Sequence, residues 1–372
     1  MNRLKQFLQT IVLWSNIIAA ALFILSAYSD RFSPEKHMLI TYMGLAFPLF
    51  LLAVLCFLTY NMLTNNWKFA PVSILALALC WTPIQNYCPF NASQTVPKED
   101  VIKLLTYNVM NFNFQDHTPQ APNPILKYIA ESDADIVCLQ EYWAHKQSKF
   151  LNTPKIHKAL SMYPYRSIID LHKTPNIYKG IAIFSKFPLS NAKRIKYESK
   201  YNGSMSCIIT VKDKKILLIN NHLESFKLTR TDKSTYSTLM KGEEMDKKVL
   251  GGIYGTFVKK LAPAYRLRAK QAEEVRRIVQ ETKSNYVVVC GDFNDTPISY
   301  THKTMQGTLR DAFVESGKGF GISFNENFFW FRLDNILHSE SIESFNCTVE
   351  RFAGSDHYPM WSHLRLKDLN KE

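Results

Sequence analysis

The sequence predicts an α/β protein: a layered domain of β-sheets enclosed by helices, preceded by three membrane-spanning helices. Three observations carry this. Apolar residues pile up near the N-terminus in long runs without charge. Beyond Val101, short β-rich runs alternate with amphipathic stretches. Several of those runs are continuous Val, Ile and Leu, as expected of strands covered on both faces.

The predicted spans are roughly 7–27, 39–63 and 69–87, each near or above the ~20 residues that cross a bilayer. None contains Asp, Glu, Lys or Arg, and Trp14, Trp67, Trp81 and Tyr87 suit an interfacial belt. Pro83 and Gln85 make the third span the shortest. A cleaved signal peptide is the rival reading of the first stretch, but its apolar part is too long. The basic start, Asn2-Arg3-Leu4-Lys5, favours a cytoplasmic N-terminus. Three spans then place the rest of the chain outside the cytoplasm, on a plasma or inner membrane. Residues 1–88 are thus read as an anchor, 89–100 as a linker and 101–372 as the second domain.

In that domain the predicted strands are Val101–Tyr107, Ile136–Gln140, Gly180–Ser185, Cys207–Val211, Ile216–Asn220, Tyr286–Cys290, Leu333–Leu337 and Trp361–Leu366. Pro124–Glu131 and Tyr265–Glu281 read as helices, the second with an apolar stripe from Leu267 to Val279. The seven cysteines form no metal pattern, and Cys138, Cys207 and Cys290 fall in strand runs as small buried thiols. The net charge of +13 favours anionic partners, such as nucleic acid, lipid headgroups or phosphorylated small molecules.

Polar residues cluster where the apolar runs stop: Asn108, Gln140-Glu141, His222, Asp292-Phe293-Asn294, Asp334, and Ser355-Asp356-His357. Such groups can converge on one rim of a sheet. Hard oxygen donors suit Mg²⁺, and Glu141 and Asp356 meet that demand with Asn108 as a neutral neighbour. Mn²⁺ can substitute on the same donors. His357 is a candidate general base, with Asp334 to fix its tautomer. Asp292 and Asn294 can orient a water and a phosphate oxygen, and His222 can donate to the phosphate. Each has a plainer reading: a rim glutamate, a turn aspartate, a core histidine. Their joint occurrence in order points to phosphoester hydrolysis.

The ordered set, above all Gly291-Asp292-Phe293-Asn294 and Ser355-Asp356-His357, resembles the endonuclease/exonuclease/phosphatase superfamily from about Val101 to Leu366. The resemblance implies a four-layer α/β sandwich of two central β-sheets flanked by helices, with a divalent metal at its rim. By family role Glu141 holds the metal with Asn108 and Asp356 close by. His357 with Asp334, together with Asp292, activates the water, and Asn294 and His222 contact the phosphate. Two departures stand out. Asn335 occupies a place where the family often has an aromatic residue, and Met110-Asn111-Phe112-Asn113 lacks a frequent glycine.

Between His222 and Arg266 lies a basic segment with Lys227, Arg230, Lys233, Lys241, Lys247 and Lys248, and a glycine-aromatic patch at 251–257. It suits a nucleic-acid backbone, an anionic lipid surface, or solvent alone. Three functions fit: a nuclease-like phosphodiesterase, a lipid or inositol-phosphate phosphoesterase of the sphingomyelinase kind, and an inactive membrane-bound binding module.

Overall fold

The computed structural model describes residues 2–146, 151–172, 174–229, 231–232, 234, 251–252, 254–255, 257–326 and 329–369. The chain divides into two compact units, one of residues 1–88 with 296–303, the other of 89–295 with 304–372. Of the basic segment, Arg230, Lys233, Lys241, Lys247, Lys248, Ile253 and Thr256 lie outside the described residues.

In the first unit α1 (Asn2–Ala27) is the only described helix that is alone long and apolar enough to cross a membrane. This corrects the expectation of three membrane-spanning helices, because the other two runs are each broken into a bent pair. The second run is a pair, α2 (Met38–Leu45) and α3 (Phe47–Leu63), bent by 63°. The third, Trp67–Leu79, which contains α4 (Ala70–Leu79), is bent by 60° from α5 (Trp81–Tyr87). Proline accounts for both breaks. It lacks an N–H, and its ring clashes with the carbonyl four residues earlier. Pro48 and Pro83 therefore act on Gly44 and Leu79, and the bends fall just after them. The Leu79 carbonyl that Pro83 cannot bond accepts instead from the Tyr28 hydroxyl, at 2.5 Å. Phe23, Phe47, Val54, Ala76 and Cys80 form the inner core of this unit. Leu4, Phe7, Trp14, Leu49, Leu75 and Trp81 stay exposed on its outside.

The second unit is a four-layer α/β sandwich, as the resemblance implies. One six-stranded sheet contains β1 (Val101–Asn108), β2 (Ile136–His145), β3 (Tyr165–Asp170), β4 (Ile177–Ser185), β13 (Ile342–Val349) and β14 (Met360–Leu366). Their order is β13-β14-β1-β2-β4-β3. The other contains β5 (Leu189–Ile195), β6 (Gly203–Val211), β7 (Lys214–His222), β8 (Tyr286–Asp292), β9 (Arg310–Asp311) and β12 (Asp334–His338). It runs β5-β6-β7-β8-β12-β9. A hairpin of β10 (Phe324–Glu326) and β11 (Phe329–Phe331) stands apart.

Three apolar layers hold these elements. Leu104, Cys138, Ile183, Cys207, Leu218, Val288 and Cys290 fill the space between the sheets. The cysteines are buried and unpaired, as expected of small apolar fillers. Helices α6 (Pro124–Glu131) and α7 (Thr153–Ala159) cover the first sheet through Ile125, Leu126, Ile129 and Ile156. Helix α8 (Ala262–Glu281) covers the second through Ala272 and Val275. The Asn123 side chain caps α6 by accepting from the N–H groups of Ile125 and Leu126. Ahead of β1, Asn91 Nδ2 donates to the carbonyls of Val314 and Gly317, each at 2.9 Å.

Candidate active site

Strand register assembles the site. Parallel pairing of β7 with β8 sets His222 opposite Asp292, and antiparallel pairing of β8 with β12 sets Asp334 opposite Asp292. Directly opposed residues project from the same face of a sheet, so the three form a row. In the other sheet β1 runs parallel to β2, with Asn108 opposite Gln140 and Glu141 next in the chain. Strand β14 is antiparallel to β1, which brings Asp356 and His357, just ahead of it, to the same end. Asn108 Nδ2 closes the gap between the sheets by donating to Asp292 Oδ2 at 3.1 Å.

The motif glycine has a steric reason. Gly291 has φ +121°, and a Cβ there would lie 2.1 Å from the Asn221 carbonyl oxygen. Only glycine allows β7 to approach and deliver Asp292 at the strand end. Asn294 Nδ2 then donates to Leu223 O at 2.9 Å and Asp292 Oδ2 at 3.2 Å, while its N–H donates to Asp292 Oδ1 at 2.8 Å.

His357 Nδ1 lies 2.7 Å from Asp334 Oδ2, and Nε2 lies 3.6 Å from Asp292 Oδ2. His222 Nε2 stands 3.7 Å from Asp292 Oδ2 and 3.8 Å from Glu141 Oε1. Burial disfavours the charged form of His357, but Asp334 and Asp292 override it and lift its pKa to about 10. Burial lowers that of His222, and the charge of His357 adds to the effect against Asp292. Burial raises that of Asp292, with Asp334 adding to the effect and His357 opposing it. One imidazole thus holds a proton beside a carboxylate while the other stays neutral.

Glu141 sits on a β-bulge: the register of β2 against β4 shifts between Leu139 and Tyr142, and Glu141 takes φ +51°. The strand therefore does not stop where the apolar run does, at Gln140; β2 continues to His145 and the bulge turns Glu141 toward the rim. Asn108 Nδ2 and Asn111 Nδ2 donate to its two oxygens, each at 3.3 Å. Burial raises the Glu141 pKa, and the nearby Asp356 carboxylate raises it further.

Residues Met110 to Phe114 replace the missing glycine with a left-handed turn, five successive residues with φ from +42° to +56°. Each such residue costs about 1–2 kcal/mol, so the surroundings must hold the turn. Phe112 is fully buried edge-on to Tyr142, and Asn123 Nδ2 donates to its carbonyl at 3.0 Å. The result places Asn111 on Glu141, a contact that sequence reasoning missed. The absent glycine was its signal. Ser355 was missed as well; its hydroxyl donates to Asn108 O at 2.8 Å and accepts from His357 N–H at 3.2 Å.

The donors fit a hard divalent cation. Two neighbouring carboxylates, Glu141 and Asp356, repel each other, and Asn111 Oδ1 is buried without a hydrogen-bond partner among the described residues. Asn108 differs: its Oδ1 accepts from Met110 N–H at 3.1 Å, so it faces Glu141 as a donor. Ligand atoms of Asp292, Asp334 and His357 also lie within 4.8 Å of one another. Asn335, in place of the family's aromatic, is buried with Nδ2 donating to Leu333 O at 3.0 Å.

A sandwich with carboxylates and imidazoles gathered at its rim defines a hydrolase of phosphoric esters. The chain belongs to the endonuclease/exonuclease/phosphatase family, whose model matches residues 105–357. Members of that family are phosphoesterases, generally dependent on a divalent metal. Residues 9–87 match a separate family described as a domain of unknown function. The crystal structure of an endonuclease/exonuclease/phosphatase from Beutenbergia cavernae shares the fold, with a TM-score of 0.50 and 15% identity over 72% of each chain. A Bacteroides vulgatus endonuclease/exonuclease/phosphatase gives 0.48 at 15%, over 72% of this chain and 99% of that one. The human Nocturnin catalytic domain with bound sulfate gives 0.48 at 16%, over 73% and 95%. No curated protein matches the sequence significantly.

Proposed function

We propose that the chain is a membrane-anchored, Mg²⁺-dependent phosphodiesterase acting on nucleic acid. The observation that carries this reading is the convergence on Asp292 Oδ2 of Asn108, Asn294, His222 and His357, with Asp334 behind His357.

In the proposed reaction a water lies against Asp292, which takes its proton as the oxygen attacks phosphorus. Because His357 already holds a proton, it serves as a donor to a phosphoryl oxygen rather than as the base. Asp334 keeps that imidazolium oriented. His222 donates to a second oxygen, and Asn294 aligns Asp292. The bond from phosphorus to the leaving oxygen breaks, and that oxygen takes a proton from solvent, to which Asp292 releases the one it accepted. A cation held by Glu141 and Asp356, with Asn108 and Asn111 fixing the Glu141 carboxylate, would neutralise charge on the phosphoryl and leaving oxygens. Helix α1 would hold the catalytic unit at a bilayer, on its extracytoplasmic side.

A second reading, a lipid phosphoesterase, is favoured by the same apolar helix. Full-length protein in detergent, assayed with Mg²⁺ on DNA, RNA, sphingomyelin and phosphoinositides, separates the two. Oligonucleotide cleavage that EDTA abolishes is expected. Headgroup release without oligonucleotide cleavage would replace the first reading by the second.

A further inference from the structure

A concave cleft of about 860 Å³ opens beside the catalytic rim, bounded by the β10–β11 hairpin, the loop before it and the end of β13. This is within the size range of ligand sites. Lys318, Phe320, Asn325, Trp330, Arg351 and Tyr358 line it, and no Asp or Glu is among the described lining residues. Lys318 and Arg351 are exposed, and neither makes an ion pair among the described residues. Phe320 is 53% and Trp330 54% exposed.

The cleft is built into the same ledge as the site. Asn325 N–H donates to Asp356 O at 3.2 Å, Tyr358 N–H donates to Ser323 O at 2.6 Å, and Phe324 bridges to His357. Side chains alternate along such an extended pair. His357 and Phe324, with ring centroids 5.0 Å apart, face the catalytic rim. Tyr358 and Asn325, joined by a 2.8 Å hydrogen bond, face the cleft.

From this geometry we infer that the cleft binds a single-stranded polynucleotide, extending from the scissile phosphate over the ledge. The inference rests on the phosphodiesterase reading and names its substrate class. Two exposed cations without an ion-pair partner among the described residues suit backbone phosphates, and exposed aromatic side chains suit stacked bases of any sequence. A concave shape favours a bound strand over a lipid surface, which needs a protruding apolar patch to enter the bilayer.

The test uses full-length protein in detergent and a fluorescein-labelled oligothymidylate, with binding read by anisotropy in EDTA so that no turnover occurs. Trp330→Ala is expected to weaken binding by about tenfold, and Trp330→Phe to restore most of it. Lys318→Glu with Arg351→Glu is expected to weaken it at least as much. In addition it should flatten the salt dependence, since each lost phosphate contact removes about 0.7 from the slope for a single strand. Hydrolysis of bis(p-nitrophenyl) phosphate, too small to reach the cleft, should be unchanged in all three. Oligothymidylate binding equal to wild type in every variant overturns the assignment, as does loss of binding confined to anionic phospholipid vesicles. Binding through these residues without hydrolysis of any phosphodiester supports the cleft and removes only the catalytic reading.

Discussion

On one side of the rim, Asp292, Asp334 and His357 are at most 4% exposed. Each of these groups faces an oppositely charged or hydrogen-bonding neighbour. On the other side the Glu141 side chain keeps 30% of its surface, and the charge that acts on it most strongly is Asp356, another half-buried carboxylate. The contrast is one of charge balance. In the buried half a carboxylate–imidazole–carboxylate row contains its own counter-charge, which suits proton handling. In the open half asparagine donors, with His357 and Lys179 acting on Glu141 more weakly than Asp356 does, offset the negative charge only in part, which suits a cation that keeps several waters. The two halves meet at Asn108, which bonds to both Glu141 and Asp292.

Substitutions can break this division. His357→Ala is expected to lower kcat by about 10³-fold while the far-ultraviolet circular dichroism stays unchanged. An unaltered rate would remove the proton-handling role of the buried half. Glu141→Gln should act on the other half by raising the Mg²⁺ concentration for half-maximal activity about 10- to 100-fold, by analogy with disturbed metal-site neighbours. Excess Mg²⁺ should recover part of the rate. Full activity at wild-type Mg²⁺ would show that the open half does not hold the cation. Asn111→Ala, which removes a donor to Glu141 together with an unpartnered oxygen beside it, should have the same sign and a smaller size, about threefold, given roughly 0.5–1.5 kcal/mol per hydrogen bond.

The smallest expected effect is on stability. With its pKa lifted from 6.5 to about 10 by Asp334 and Asp292, protonated His357 stabilises the metal-free fold. That contribution is complete below pH 6.5 and fades as the pH rises toward 10. Urea unfolding followed by tryptophan fluorescence should show a midpoint that falls across this window in wild type. The fall should be shallower in His357→Gln. Parallel pH profiles for the two proteins would contradict the buried ion pair.

Most of the eight strand segments were legible because their Val, Ile and Leu runs are buried on both faces; β14 and the end of β6 instead alternate between buried and half-buried positions. The strands that escaped notice are edge or polar ones. β5 exposes Ser190 to Arg194, and β3 is at most half-buried. Neither has an apolar run, and backbone pairing with an inner neighbour is what makes it a strand. The helix breaks at Ala46 and Cys80 could be anticipated only as tolerated prolines. Their angles depend on packing around Phe47 and on the Tyr28 hydroxyl. Within the site Asn111 went unseen because the missing glycine marks an unusual turn but does not say that ordinary residues adopt a left-handed run there.

The sequence by itself determined which side chains are available and that they occur at strand ends, since strand length follows from where apolar runs stop. It also determined that the N-terminal stretch is apolar enough for one uninterrupted spanning helix. Tertiary structure alone decided which groups meet: register brings Asp292, Asp334 and His222 into one row, and a bulge turns Glu141 toward them. The physical reason is that pairing register and backbone curvature arise from contacts between segments far apart in the chain. Composition along any one segment does not contain those contacts.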